Sequence, residues 1–358
     1  MSTGGFGQCI RRTLKHFLSL LFRPTIDAVW NGRHLPWNLR WRLLAFQPLS
    51  ILMNGLFIAP YLFRHPFQVD YIPVSGGREL RVLVFKATAG KGAQSHGRPL
   101  RPLHVDCHAG GFIGGFPEAS APWCDLVAQQ TGAVVVSLSY RLAPVDPFPA
   151  APDDVDAAIS WLQLNAALRY GADPTLMTVS GASAGGTLAL AATQASDCHP
   201  PANTAIKASV IFYGPVDLRP APWEKTWIEG MRSDPVAFLQ PLYDSYAAPQ
   251  KGVMGDSPRM NPTLAPLKTL PLRMLFVVPK IDILPTEILA FVDRIRRESE
   301  EKGETERKVE YVWLENLFHG FLEVPDAVVP RSQKLLAWGP SLELIKETHS
   351  VHGWTWET

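Results

Sequence analysis

The chain has 358 residues, 46% hydrophobic and 19% charged, which allows a sizeable buried core and excludes global disorder. A formal net charge of +1 argues against nucleic acid or another strongly charged polymer as partner. Cys9, Cys107, Cys124 and Cys198 form no C-x-x-C pair and no metal-ligand spacing, so neither a metal nor an oxidising compartment is called for.

Residues 1–68 read as a mostly helical segment in which Trp30, Trp37 and Trp41 interleave with Arg33, Arg40 and Arg42. Near its start, Arg11, Arg12 and Lys15 precede Phe17-Leu18-Ser19-Leu20-Leu21-Phe22, but Arg23-Pro24 stands where a signal peptide would carry small residues. Leu43 to Phe63 holds no charge and has the length of a membrane span, yet Gln47, Pro48, Asn54, Gly55 and Pro60 interrupt it. The expectation is a lid helix with one apolar face on the core of a cytoplasmic protein. The alternative is an interfacial segment that associates the chain with a membrane surface.

From Val69 the pattern changes. Val69 to Val74 and Glu79 to Phe85 flank Ser75-Gly76-Gly77-Arg78, a hairpin signal. After a polar loop, strand-like and helix-like runs alternate: strands at 103–107, 133–138, 176–179, 208–213, 272–278 and 309–314, and helices at 121–130, 153–168, 187–192 and 286–302. Near-continuous apolar strands separated by helices predict an α/β fold with a mostly parallel sheet covered on both faces. Residues 69–350 form the expected catalytic domain. Arg219 to Thr269, rich in proline and aromatics, is too long for a connection and reads as an insertion over the strand ends.

Four places carry chemistry. Gly181-Ala182-Ser183-Ala184-Gly185-Gly186 follows an apolar strand and opens a helix. A serine between small residues at such a turn is pushed out over the end of the sheet, although a plain tight turn uses the same residues. His108-Ala109-Gly110-Gly111-Phe112 follows the first core strand, and its consecutive glycines leave backbone N–H groups open to a cavity. Asp282 sits among apolar residues at a strand end, where a carboxylate needs a partner; capping the helix ahead of Thr286 is its other reading. His319 follows the last strand in Leu317-Phe318-His319-Gly320-Phe321. Ser183, Asp282 and His319 stand in the chain order of a nucleophile, the acid that orients the base, and the base.

With Tyr140-Arg141-Leu142-Ala143-Pro144 and Phe148-Pro149-Ala150-Ala151, these motifs resemble the hormone-sensitive-lipase-like family of α/β-hydrolase esterases over about residues 69 to 340. The resemblance implies an α/β-hydrolase fold with an N-terminal helical cap, matching residues 1–68. It implies a nucleophile at Ser183, an acid at Asp282 and a base at His319. Oxyanion donors would be the backbone N–H groups of Gly110, Gly111 and Ala184, and no metal or cofactor is involved. The segment from Tyr140 to Asp154 would support the oxyanion loop. The chain departs from the family pattern at Ala109, Ala182 and Val145, which makes the pocket surroundings less acidic.

The expected activity is hydrolysis of small to medium apolar carboxylic esters through an acyl-enzyme. The rivals are a lactonase, amidase or acyl-releasing hydrolase of a biosynthetic intermediate, a lipase at a membrane surface, and a receptor without catalysis. Phe112, Trp223, Trp227 and Phe238 are the candidate pocket aromatics. The expected partner is a small-molecule ester, with a homodimer left open.

Overall fold

The computed structural model describes residues 22, 25, 26, 28–61, 65–87, 94–96, 99–194, 206–225 and 237–357. Helix α1 (Trp37–Ile58) comes first, followed by the antiparallel hairpin of β1 (Phe67–Val74) and β2 (Arg78–Phe85) and a short strand β3 (Gln94–His96). Then come β4 (Arg101–Cys107), α2 (Ala121–Thr131), β5 (Val134–Leu138), α3 (Ala150–Tyr170), β6 (Ala172–Ala182), α4 (Ala184–Ala191) and β7 (Ile206–Phe212). Two short helices, α5 (Gln240–Asp244) and α6 (Lys251–Met254), lie between β7 and β8 (Arg273–Ile281). The chain continues with α7 (Pro285–Glu301), β9 (Lys308–Phe318), α8 (Arg331–Val351) and β10 (Thr355–Glu357).

Eight strands make one sheet in the order β1-β2-β5-β4-β6-β7-β8-β9. The hairpin strands run antiparallel, and every pair from β5 to β9 is parallel. Side chains alternate across the pleat, so each strand feeds two cores. One core joins Val105, Leu162, Leu188 and Phe291 under α3, α4 and α7; the other joins Phe85, Trp123, Phe212 and Ile345 under α2 and α8. This is the doubly covered parallel sheet that the apolar runs predict. The connection from β4 goes to β5 on one side, while β6 returns on the other. A parallel sheet opens its ligand crevice at such a reversal, outside the carboxyl ends of the strands.

The face toward α2 carries a polar seam. His104 and Asp106 on β4 stand beside Thr178 and Ser180 on β6, their cross-strand neighbours, and all four are buried. Ser180 donates its one proton to Asp106 Oδ1 at 2.6 Å and accepts from Trp123 Nε1 at 3.0 Å. The His104 Nε2, 2.9 Å from Ser180 Oγ, must therefore be the N–H donor, and Thr178 donates to Nδ1 at 2.8 Å. His104 is thus a neutral, satisfied core imidazole, and burial pushes its pKa down to about 3.

Burial holds His349 at about 3 and His108 at about 4 as well. A depressed folded pKa means that the unfolded chain binds the extra proton first. The stability each imidazole contributes is complete above 6.5 and lost as pH falls toward these folded values, at about 1.4 kcal/mol per pH unit per group. Among the described residues, neither ring nitrogen of His349 has a hydrogen-bond partner. His349→Met should therefore leave the protein at least as stable at pH 7 and flatten its acid instability, read as denaturation midpoints between pH 7 and 4.5. An unchanged acid slope would contradict this assignment.

Candidate active site

Ser183 sits at the first bend after β6, with φ 51° and ψ −122°, a backbone region that costs energy and persists only where the surroundings impose it. They do so through close packing. A Cβ on Gly185 would fall inside the carbonyls of Cys107 and His108 at the end of β4, so only glycine lets α4 start there. The Ser183 N–H is tied to the Phe212 carbonyl at 2.8 Å. The elbow is thereby fixed between its two neighbouring strands.

His319 follows β9, its N–H bonded to the Ile281 carbonyl at 3.1 Å. Its Nε2 lies 2.8 Å from Ser183 Oγ, and its Nδ1 lies 2.8 Å from Asp282 Oδ2. The Asp282 Oδ1 accepts the Ile283 N–H at 2.6 Å. A carboxylate facing Nδ1 requires the proton there, which leaves Nε2 to accept from the Ser183 hydroxyl. The three residues separated by 136 and 37 positions in sequence therefore form one directed chain. Asp282 does not cap α7, whose N-cap is Leu284 with no side-chain cap bond.

The loop after β4 supplies the opposite wall. Gly110 has φ +145°, and a Cβ there would strike the Gly114 backbone; the following turn is closed by Ile113 and Gly114 N–H groups on the Gly110 carbonyl. Among the described residues, no backbone carbonyl takes the N–H of Gly110 or Gly111, and Ala184 heads α4, where an N–H has no acceptor within its own helix. Gly110, Gly111 and Ala184 line the same cavity as Ser183 and His319. The loop rests on the 140–154 segment: Tyr140 stacks on His108 at 4.2 Å and donates to its carbonyl at 2.7 Å. Ala143 N–H bonds the Phe112 carbonyl, and Arg141 is held by both oxygens of Asp154.

The cavity encloses about 720 Å³ and is walled by α1 through Phe46, by the loop through Phe112 and Ile113, and by Leu218, Tyr243 and Ile283. Phe112 is stacked flat on Tyr246 at 3.8 Å. Trp223 and Phe238 do not line it; they are 55% and 47% exposed. Their short turns, Pro222–Glu224 and Ala237–Leu239, bring Pro222 and Gln240 to the wall and turn the large rings outward. Trp227 lies outside the described residues.

Sequence reasoning missed four polar groups at this site. Lys225 is bonded to Glu287 at 2.7 Å and to the Asp217 carbonyl at 2.8 Å. Glu287 also accepts the Val216 N–H at 2.9 Å, pinning the start of the 216–225 stretch to the first turn of α7. Tyr213, with φ 41°, packs edgewise on the His319 ring at 5.1 Å and donates to Glu323 at 2.9 Å. Burial raises the Glu323 carboxyl above its ordinary range despite that bond. Nothing in the spacing of these residues announces the side-chain pairings, since Lys225 and Glu287 lie 62 positions apart and Tyr213 and Glu323 lie 110 apart.

A family model described as the alpha/beta hydrolase fold matches residues 104–323, more than half of the chain. The chain belongs to the α/β-hydrolase fold family. This agrees with the hormone-sensitive-lipase-like resemblance that the motifs carry. Carboxylesterase NlhH of Mycobacterium tuberculosis is 42% identical over 87 residues, 24% of this chain and 27% of that protein. Arylacetamide deacetylase-like 2 of Homo sapiens is 38% identical over 180 residues, 48% of this chain and 43% of its own length. The matched stretch thus spans less than half of either relative. Among solved structures, the esterase LipW of Mycobacterium marinum is 26% identical with a TM-score of 0.62, over 84% of this chain and 90% of that one.

Proposed function

We propose that this α/β-hydrolase cleaves carboxylic esters of small to medium, uncharged, apolar substrates. The observation that carries the reading is the directed chain Asp282–His319–Ser183 opening into an apolar cavity. His319 Nε2 takes the Ser183 proton as the oxygen attacks the ester carbonyl, and Asp282 stabilises the imidazolium that forms. The N–H groups of Gly110, Gly111 and Ala184 receive the oxyanion, each such donor being worth about 3 kcal/mol of barrier. His319 then passes its proton to the leaving alcohol, and water enters with His319 again as base.

The charges at the cavity wall support an uncharged substrate. Lys225 is neutralised by Glu287 and Asp244 by Lys251 at 2.6 Å. An anionic ligand would have to break a buried pair to find a cation. In this reading α1 and residues 219–269 are the cap over the catalytic domain.

A panel of p-nitrophenyl esters graded in acyl length, beside matched amides and lactones, tests the reading. The expected result is turnover of esters well above amides and lactones, with an optimum at short to medium chains. A preference for amides or lactones, or no turnover by folded protein, would overturn it.

A further inference from the structure

Helix α1 is inside out for a helix in water. Its inward stripe is Leu43, Gln47, Ser50, Asn54 and Ile58, three of the five polar. Its outward stripe carries Trp37, Trp41, Leu49, Leu52 and Leu56, exposed by 39% to 70%. A helix meeting only water puts these sets the other way round. Phe22, Ile26, Val29 and Trp30 extend the surface, so this segment contributes nine of the 23 large exposed apolar side chains among the described residues. Patches of this kind mark an interaction surface.

Charge says what covers it. Residues 22–61 hold Arg23, Arg33, His34, Arg40 and Arg42 against a single acid, Asp27. Arg33 lies over the Trp30 ring at 5.3 Å and Arg42 over Trp41 at 4.5 Å. Tryptophans paired with arginines suit the headgroup level, and leucines on the same outward face suit the acyl boundary beneath it. Trp37–Tyr61 is long and apolar enough to cross a membrane, but its inner stripe is packed on the protein, including the 117–120 turn and α5. The helix therefore lies flat.

We propose that the outward face of α1 docks on a lipid bilayer bearing anionic headgroups. Leu49, Leu52 and Leu56 enter the acyl boundary while Arg33 and Arg42 meet phosphates. The turn holding the exposed Phe238 packs on α1. Phe46 of the same helix lines the cavity, so docking holds one wall of the cavity beside the bilayer. That consequence for substrate entry rests on the ester reading; the docking itself does not.

Flotation of the full chain with phosphatidylcholine vesicles, with and without phosphatidylserine, tests the proposal. Wild type should float with the phosphatidylserine vesicles, more weakly with phosphatidylcholine alone, and less as salt rises. Leu49→Ser/Leu52→Ser/Leu56→Ser should bind at least tenfold less, and Arg33→Gln/Arg42→Gln should shrink the difference between the two lipids. Hydrolysis of a soluble p-nitrophenyl ester without vesicles should stay within twofold in both variants, showing that they fold. Protein that floats but hydrolyses nothing upholds docking and overturns only the ester reading. Wild type that does not float, or a leucine variant that floats equally well, overturns docking. So does a dimer that the leucine variant dissociates without any vesicle binding, which assigns the face to a second copy. Binding seen only after removal of residues 1–21 likewise overturns it, assigning the face to the chain's own N-terminal segment.

Discussion

Ser183→Ala is expected to lower ester turnover by at least about 10⁴-fold while leaving the fold and its thermal midpoint nearly unchanged. Among the described residues the hydroxyl makes one hydrogen bond, to the half-exposed His319 ring, so its removal strands no deeply buried group. Ser180→Ala is the informative contrast. Ser180 also contacts a histidine and an aspartate, but it sits between them and is buried under α2. Its loss leaves His104 Nε2, Trp123 Nε1 and Asp106 each short of a partner, at about 1–3 kcal/mol for each unsatisfied group. The expected outcome is a destabilised enzyme with near-normal turnover per folded molecule. Turnover surviving in Ser183→Ala and lost in folded Ser180→Ala would reverse the assignment.

Gly185→Ala is expected to be among the most destabilising single-methyl additions at the described glycines, alongside those at Gly110, Gly115 and Gly181. The added carbon meets main chain at the end of β4, the carbonyls of Cys107 and His108, and cannot be relieved by a rotamer change. Backing α4 away would move Ser183 and the 108–112 loop together. Overpacking where nothing yields typically costs about 1–3 kcal/mol and occasionally more, and here we expect the upper end, read as loss of soluble protein or a much lower denaturation midpoint. Any soluble fraction should have lost turnover, because the helix start and the loop proposed to receive the oxyanion share this contact. A stable, active Gly185→Ala protein would show that the elbow is looser than the packing implies.

What was legible in the sequence was what chemistry and close packing force. Gly181 to Gly186 could be read because a strand, a tight turn and a helix in van der Waals contact exclude larger side chains. The parallel sheet could be read because strands covered on both faces are apolar throughout, as Val134 to Leu138 is buried at every position. Asp282 and His319 could be placed because each closes a strand and the order of the three groups constrains the rest.

The cavity wall was not legible. Aromatic type does not encode direction, so Trp223 and Phe238 were expected inside and face out. Lys225, Tyr213 and Glu323 gain their roles only from partners far away in sequence. The pairing of β3 with β10 joins Gln94 to Glu357, beyond any local pattern. Helix α8 carries Pro340 inside it and buries Lys334, Ser341, Thr348 and His349 along with its apolar residues, which blurs the helical period. In α1 Gln47, Ser50 and Asn54 face inward beside Leu43 and Ile58, so the expected lid helix rests on the core through a mixed face and also leaves an apolar stripe exposed.

The central claim is that Ser183 is the nucleophile, and covalent labelling tests it most directly. A fluorophosphonate should modify the folded protein at one site per chain, on the peptide containing Ser183, with loss of ester turnover in step with labelling. Label on Ser180 or another serine, or full labelling with turnover intact, would contradict the account.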